Sequence, residues 1–274
     1  MERTAAIPDE DETARRPGAA RQLVRWLGVG PLLRSLRSTR LIDTSQLHAR
    51  PEKIHLAKLL PLLGVDCVFD IGANQGQYAR MLRRDAGYAG QIVSFEPAPE
   101  MASILRRSAG KDRRWRVEEI AVASSTGQQA FNIMKASAFS SLSSPRHDDV
   151  AIFQNQNLPV RRISVQTDTL SRVYSRLKGE LGFKLPYLKL DTQGFDVEIV
   201  KSGRDVIQNF VGLQSELSIR RIYEHSVDFR EAISFYQELG FEMSALVPNN
   251  AGCFPILVEM DCIMVRSDLL RMLR

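Results

Sequence analysis

The chain has 274 residues, of which 44% are hydrophobic and 25% charged, and its net charge is +5. That is enough for one large domain with a full core plus extra sequence at one end. The composition excludes a chain that is disordered throughout, and no run of about 18 apolar residues exists that could span a membrane as a helix.

Residues 1–20 are polar and rich in alanine, proline and glycine, and they read as a mobile tail. The acidic stretch Asp9 to Glu12 lacks the basic start and apolar run of a secretory signal, so the expected location is the cytoplasm. From residue 21 to 29 apolar groups recur at helical spacing, with Leu23, Trp26 and Leu27 on one side and Arg21 and Arg25 on another. Gly30-Pro31 interrupts this pattern, and Leu32, Leu33 and Leu36 resume it. Seven arginines and no acid fall within residues 13–42, which leaves a net −2 for the rest of the chain. The reading is a basic, partly helical extension over residues 1–50, followed by an α/β domain over residues 51–274. Such an extension suits peripheral contact with an anionic membrane or a phosphate-bearing substrate; its apolar side serves equally well as a lid packed on the domain. No RNA- or DNA-binding motif favours nucleic acid as a partner.

From about residue 51 strand and helix patterns alternate. Val65 to Ile71 reads as a buried strand ending at Gly72, and Gln77 to Arg84 as a helix. Gln91 to Phe95 is a second strand, Glu100 to Ser108 a helix, and Trp115 to Val122 a third strand. Two shorter β segments, around Ala130–Met134 and Arg162–Gln166, flank the serine-rich loop Ser137–Ser144. Tyr187 to Leu190 is a strand, Val197 to Lys201 part of a helix, Val211 to Leu217 a strand and Phe229 to Leu239 a helix. Phe241–Val247 and Ile256–Val265 close the chain as an antiparallel pair. This order predicts a Rossmann-like, mostly parallel twisted sheet with helices on both faces and ligands at the carboxyl ends of its strands. Cys67, Cys253 and Cys262 form no CxxC pair and are expected as buried free thiols, in keeping with a reducing compartment.

The most informative stretch runs from Val68 to Tyr78. A buried strand ends in Asp70, and the loop Gly72-Ala73-Asn74-Gln75-Gly76 then opens a helix. Gly72 and Gly76 allow tight turns and close approach of a ligand. Glu96 follows Gly76 by twenty residues at the end of the next strand, where a carboxylate can accept both hydrogen bonds of a ribose diol. Dinucleotide-binding loops instead read GxGxxG and press a helix N-terminus against pyrophosphate. An acid at Asp70 would repel pyrophosphate and suits a ligand with a cationic amine and a sulfonium. The expected nucleotide contacts are Asp70, Gly72, Ala73, Asn74, Gly76, Tyr78, Glu96, Pro97 and Ala121. A bare glycine turn without a ligand is the alternative.

These residues, with Ser141-Leu142, Ile163 to Leu170 and Leu188-Lys189-Leu190-Asp191-Thr192-Gln193-Gly194, resemble the FkbM-type methyltransferases over roughly residues 60–265. The resemblance implies a class I methyltransferase fold, S-adenosylmethionine as methyl donor and a hydroxyl acceptor on a small molecule, often a sugar or a polyketide-like compound. Two features depart from the family's pattern. Thr192-Gln193-Gly194 stands where valine-glutamate-glycine is common, and the following acid is displaced to Asp196. The basic extension is not part of that pattern either.

An alcohol is a poor nucleophile near neutral pH, so a base or a metal ion must help remove its proton. Asp191, at the end of an apolar strand, is the first candidate, with a helix N-cap as its alternative role. Glu216 ends another strand, where a plain salt bridge is the alternative; His225 lies nine residues later, and His147 sits after the serine run. Asp191 and Glu216 could instead share a divalent cation, which two carboxylates alone do not establish. The expected acceptor is a glycosylated small molecule. The alternatives are an N- or protein-directed methyltransferase, disfavoured by the lack of an Asn-Pro-Pro-Tyr-like segment after Leu190, or a non-catalytic nucleotide-binding or membrane-docking module.

Overall fold

A computed structural model of the protein describes residues 50–146, 155–248 and 255–272. All of them belong to the compact unit spanning residues 45–274. The basic extension, His147 and Cys253 lie outside the described residues.

The unit opens with helix α1 (Arg50–Leu62), which the sequence reading did not assign; Leu56, Leu59 and Leu60 recur at helical spacing and are buried. Strand β1 (Cys67–Ile71) leads into α2 (Gln77–Arg84), and β2 (Gln91–Phe95) into α3 (Pro99–Ala109). The stretch expected as one third strand is two. β3 (Trp115–Glu118) pairs with β2, whereas β4 (Ala121–Val122) leaves the sheet and pairs with β6 (Pro159–Asp168). The break follows from a change of partner: the Glu118 carbonyl accepts from the Glu96 amide, and five residues later the Ala123 amide donates to the Asp168 carbonyl.

β5 (Gly127–Met134) and β6 form a longer antiparallel pair than the sequence pattern suggested, and with β4 they make a separate three-stranded sheet. Helix α4 (Leu170–Leu181) was also unassigned. The Thr169 hydroxyl caps it by accepting from the Arg172 amide, and Leu170, Val173, Tyr174 and Leu177 form its buried stripe. Then follow β7 (Pro186–Leu190), α5 (Asp196–Ser202), β8 (Gly212–Ser218), α6 (Phe229–Glu238), β9 (Phe241–Pro248), β10 (Glu259–Arg266) and α7 (Ser267–Met272). β9 and β10 are the expected antiparallel pair, with a register shift at Ile263/Met264.

The seven-stranded sheet runs β3-β2-β1-β7-β8-β10-β9, parallel from β3 to β8 and antiparallel at β10. This is the Rossmann-like class I methyltransferase arrangement that the resemblance implied. Strand order reverses at β1/β7, and such a reversal opens a crevice beyond the strand ends. Alternation divides the sheet's two faces. Phe69, Ile71, Leu188, Leu190, Leu213 and Met264 pack on one face in an apolar core. On the other face Val68, Tyr187, Ile263 and Val265 pack with α1. Toward the crevice that second face changes character. Continuing two residues along each strand, it presents Asp70 and Lys189, then Gln214, Glu216, Asp261 and Glu259. Cys67 and Cys262 are buried free thiols, and burial pushes both up to about 12, which keeps them protonated and inert.

Candidate active site

A cavity of about 670 Å³ lies over the carboxyl ends of β1, β2 and β7 and reaches β10 and α1. Its floor at β1 is made largely of backbone. Gly72 (φ +79) and Asn74 (φ 46) both adopt left-handed conformations, and the Asn74 amide donates to Glu96 Oε2 at 2.8 Å. The Ala98 amide donates to Glu96 Oε1 at 2.9 Å, so each carboxylate oxygen keeps a lone pair for a further donor. Burial pushes Glu96 up to about 7 against the pull of these two amides. The Gly72 turn is forced by packing, because a Cβ there would lie 1.9 Å from the Asp191 carbonyl oxygen. Gly76 (φ +84) serves the same end from below, since a Cβ would meet Leu105 and Trp115. Gly76 shapes the loop and is not among the cavity-lining residues, whereas Gly72, Ala73, Asn74, Tyr78, Glu96, Pro97 and Ala121 all line it.

Asp70 is placed differently from the sequence reading. It is fully buried beneath the cavity rather than lining it. Ser94 donates to its Oδ2 at 2.9 Å, and the Lys189 ammonium stands 3.4 Å from its Oδ1. Its charge is therefore met inside the protein, and the acid that reaches the cavity is Asp191, at the end of the neighbouring strand. Lys189 lies between the two, 3.3 Å from Asp191 Oδ2 and over the Tyr78 ring. Burial alone would lower its pKa, but Asp191 and Asp70 outweigh that and raise it, so Lys189 remains an ammonium.

Asp191 does not cap the helix that follows; the N-cap position of α5 is Phe195, with no side-chain bond. Instead the Gln193 amide nitrogen donates to Asp191 Oδ1 at 3.0 Å and to Glu216 Oε2 at 2.6 Å, tying the two carboxylates together. Gln193 holds this bridge from a left-handed backbone conformation (φ 56), a strained choice for a side chain of its size. Beneath it, the buried Asp196 accepts from the Thr192 amide, from Ser215 Oγ and from the Glu216 amide, which fixes the loop to β8. Ser141 Oγ donates to the carbonyls of Thr192 and Gln193, clamping the serine loop over the same turn. Glu216 is raised by burial and by the nearby Asp191. His225 stands apart: it is exposed, packs edge-on to Phe195 and does not line the cavity.

Several lining residues escaped the sequence reading. Glu52 comes from α1, Gln214 from β8, and Glu259 and Asp261 from β10. Gln214 Nε2 donates to Glu52 Oε1 at 2.7 Å and lies 3.3 Å from Asp261 Oδ1, while its Oε1 accepts from Tyr78 at 3.0 Å. Two signals were present in the sequence. Lys189 is a charge inside an otherwise apolar strand, and Glu259-Met260-Asp261 places two acids two residues apart, hence on one face of an apolar strand.

The sheet order, with a glycine turn and acids at its switch point, is that of the class I methyltransferase fold. A family model described as "Methyltransferase FkbM domain" matches residues 70–243, and the chain belongs to this family. Among solved structures, it is similar to the methyltransferase FkbM from Methylobacillus flagellatus KT (10% identity, 73% of this chain and 43% of that one, TM-score 0.46), so it spans less than half the length of that relative. It is also similar to Aeropyrum pernix fibrillarin in complex with S-adenosyl-L-methionine (14% identity, 79% and 74%, TM-score 0.43). A third is the magnesium protoporphyrin IX methyltransferase of Synechocystis PCC 6803 with the same donor bound (8% identity, 93% and 100%, TM-score 0.43). No curated protein matches the chain.

Proposed function

We propose that the protein methylates a hydroxyl of a small molecule, a sugar ring on a glycolipid or other glycosylated metabolite, with S-adenosylmethionine as donor. The observation that carries this reading is the continuity of one cavity from Gly72 and Glu96 to the Asp191–Gln193–Glu216 group. In this reading Glu96 accepts the two ribose hydroxyls through its remaining lone pairs. Ala73 and Asn74 carry the backbone that approaches the nucleoside, and Pro97, Ala121 and Tyr78 wall it. Gly72, Gly76 and Asp70 act indirectly, by shaping the loop and by holding Lys189.

The donor supplies a methyl group on a sulfonium, which is already a good leaving group, so the protein's task is chiefly alignment and proton removal. Asp191 takes the acceptor's hydroxyl proton. Gln193 and Lys189 hold its carboxylate in place, one at each oxygen. Glu216, tied to the same amide, accepts a neighbouring hydroxyl of the ring. Among the described residues no group of three or more acidic, histidine or cysteine side chains is arranged to hold a metal ion. A protein base is proposed for this step, and loss of turnover on adding a chelator would replace it with metal assistance.

The basic extension, with seven arginines in residues 13–42, supports docking at an anionic lipid surface that carries such an acceptor. Co-sedimentation with anionic vesicles should fall when residues 1–42 are removed and when salt is raised; equal, salt-insensitive binding would reject the docking. For the reaction, labelled-donor assays should compare glycolipids, free sugars, phenolics and peptides, with the methylated atom located by mass spectrometry. Label on a sugar oxygen is expected. Label on a phenol or a peptide amine, with glycosides inert, would overturn the reading, and tight cofactor binding without transfer to any acceptor would favour a non-catalytic module.

A further inference from the structure

The far end of the cavity is more acidic than proton abstraction requires. Glu52, Asp191, Glu216, Glu259 and Asp261 all line it, with Lys189 among them, while Lys53, Arg80 and Arg84 line other parts of the cavity wall. Lys189 is already engaged by Asp70 and Asp191. Asp261 and Glu216 are direct partners in the antiparallel β8/β10 register, so their side chains stand side by side on one face. Like charges opposite one another in a sheet are destabilising, and a fold keeps such a pair where a ligand uses it.

Glu259 adds a second and separate observation. It is 8% exposed and lines the cavity, yet among the described residues no hydrogen bond or ion pair engages its carboxylate. A buried carboxylate without a partner is costly. Burial, with Asp191 and Asp261 close by, pushes Glu259 up to about 8. Burial, with Glu52 and Asp191 close by, does the same to Asp261. A bound cation would relieve both.

The acids of β10 stand on the side of the cavity away from Glu96. β10 lies four strand spacings from β2, where Glu96 stands, or roughly 19 Å. A cation held by Glu259 and Asp261 therefore lies on the acceptor side of the cavity rather than beside Glu96.

We propose that Glu259, Asp261 and Glu52 form a subsite for a protonated amine on the acceptor, so that the hydroxyl to be methylated belongs to an amino sugar or a comparable amine-bearing compound. This inference rests on the hydroxyl-transfer reading above. In it Glu259 accepts directly from the ammonium, and Gln214 holds Asp261 and Glu52 beside it.

The test uses the full chain saturated with S-adenosylhomocysteine and calorimetric titration with methyl glycosides of 2-, 3- and 4-amino hexoses and of their N-acetyl counterparts. At least one amino form should bind tenfold or more tightly than its acetylated partner. In Glu259→Gln that preference should shrink to about twofold, with unchanged S-adenosylhomocysteine affinity serving as the check on folding. If that variant does not fold, Asp261→Asn should show the same loss. Equal or weaker binding of every amino form, or a preference that survives in a folded variant, would overturn the proposal. The two readings fail separately: label transferred to neutral sugars without any amine preference sinks the subsite alone, whereas absence of transfer to any hydroxyl sinks the reaction.

Discussion

The two ends of the cavity are built by opposite strategies. At β1 and β2 the surface is mostly backbone: a glycine turn, two left-handed residues and one carboxylate pinned by two amides. At β7, β8 and β10 it is mostly charged side chains drawn from four elements, held by the amides of Gln193 and Gln214 and by one buried lysine. A backbone surface can serve a ligand whose shape never varies, such as a nucleoside. A side-chain surface can be changed one residue at a time, which is what a varying acceptor demands.

This contrast can be broken most forcefully at Lys189, which links the two ends. Lys189→Met would leave Asp70 buried and unpaired, and loss of one partner of a buried pair costs about 3–5 kcal/mol. Thermal or urea unfolding should show a fall of that size, and a change below about 1 kcal/mol would mean that Asp70 is held neutral without the lysine. Gly72→Ala tests the backbone end. Its Cβ would press on the Asp191 carbonyl, which requires β1 and β7 to part. Strain in the left-handed region and overpacking together predict about 2–5 kcal/mol of destabilisation with loss of S-adenosylhomocysteine binding. An unperturbed variant would show that the two strand ends are not in contact.

A smaller effect separates the two ends by pH. Glu259 and Asp261 are raised to about 8, far above the ordinary carboxylate range that they have when unfolded. A raised acid favours the protonated fold. Its contribution is fully present below the unfolded value and is lost as pH rises through about 8. The ligand-free protein should therefore melt at progressively lower temperature between pH 6 and pH 9, and Glu259→Gln should flatten that slope. At the nucleotide end the sign for binding is the reverse of that for folding. Burial pushes Glu96 up to about 7, and in the proposed role it would take ribose hydroxyls best when ionised, so donor affinity should weaken as pH falls from 8 to 6.

The same contrast explains what could be read in the sequence. The nucleotide end sits on one continuous stretch, residues 68–78, plus Glu96 on the next strand, and both α2 and β2 were assigned with the bounds they have. The acidic end brings together Glu52, Asp191, Glu216 and Asp261, which are distant in the chain and meet only through the strand order. Single side chains at the ends of separate strands carry little local pattern beyond the Glu259-Met260-Asp261 spacing, and of these acids the sequence singles out Asp191 and Glu216. The division of Trp115–Val122 into two strands is a matter of pairing partners, which apolar periodicity does not encode. Asp70 was legible as important, but its burial beneath Lys189 depends on the neighbouring strand.

The central claim is that one end binds the donor and the other performs the transfer. Calorimetry with S-adenosylhomocysteine and single-turnover methylation of the acceptor, run side by side on Glu96→Gln and Asp191→Asn, test it most directly. Glu96→Gln should weaken donor binding by about 1–3 kcal/mol, the scale for loss of charge-assisted hydrogen bonds. Asp191→Asn should leave that affinity within about twofold of wild type and slow transfer about 10²-fold or more, the scale for lost acid–base assistance. Transfer at the wild-type rate by a folded Asp191→Asn protein, or loss of donor binding in that variant equal to the loss in Glu96→Gln, would contradict the division.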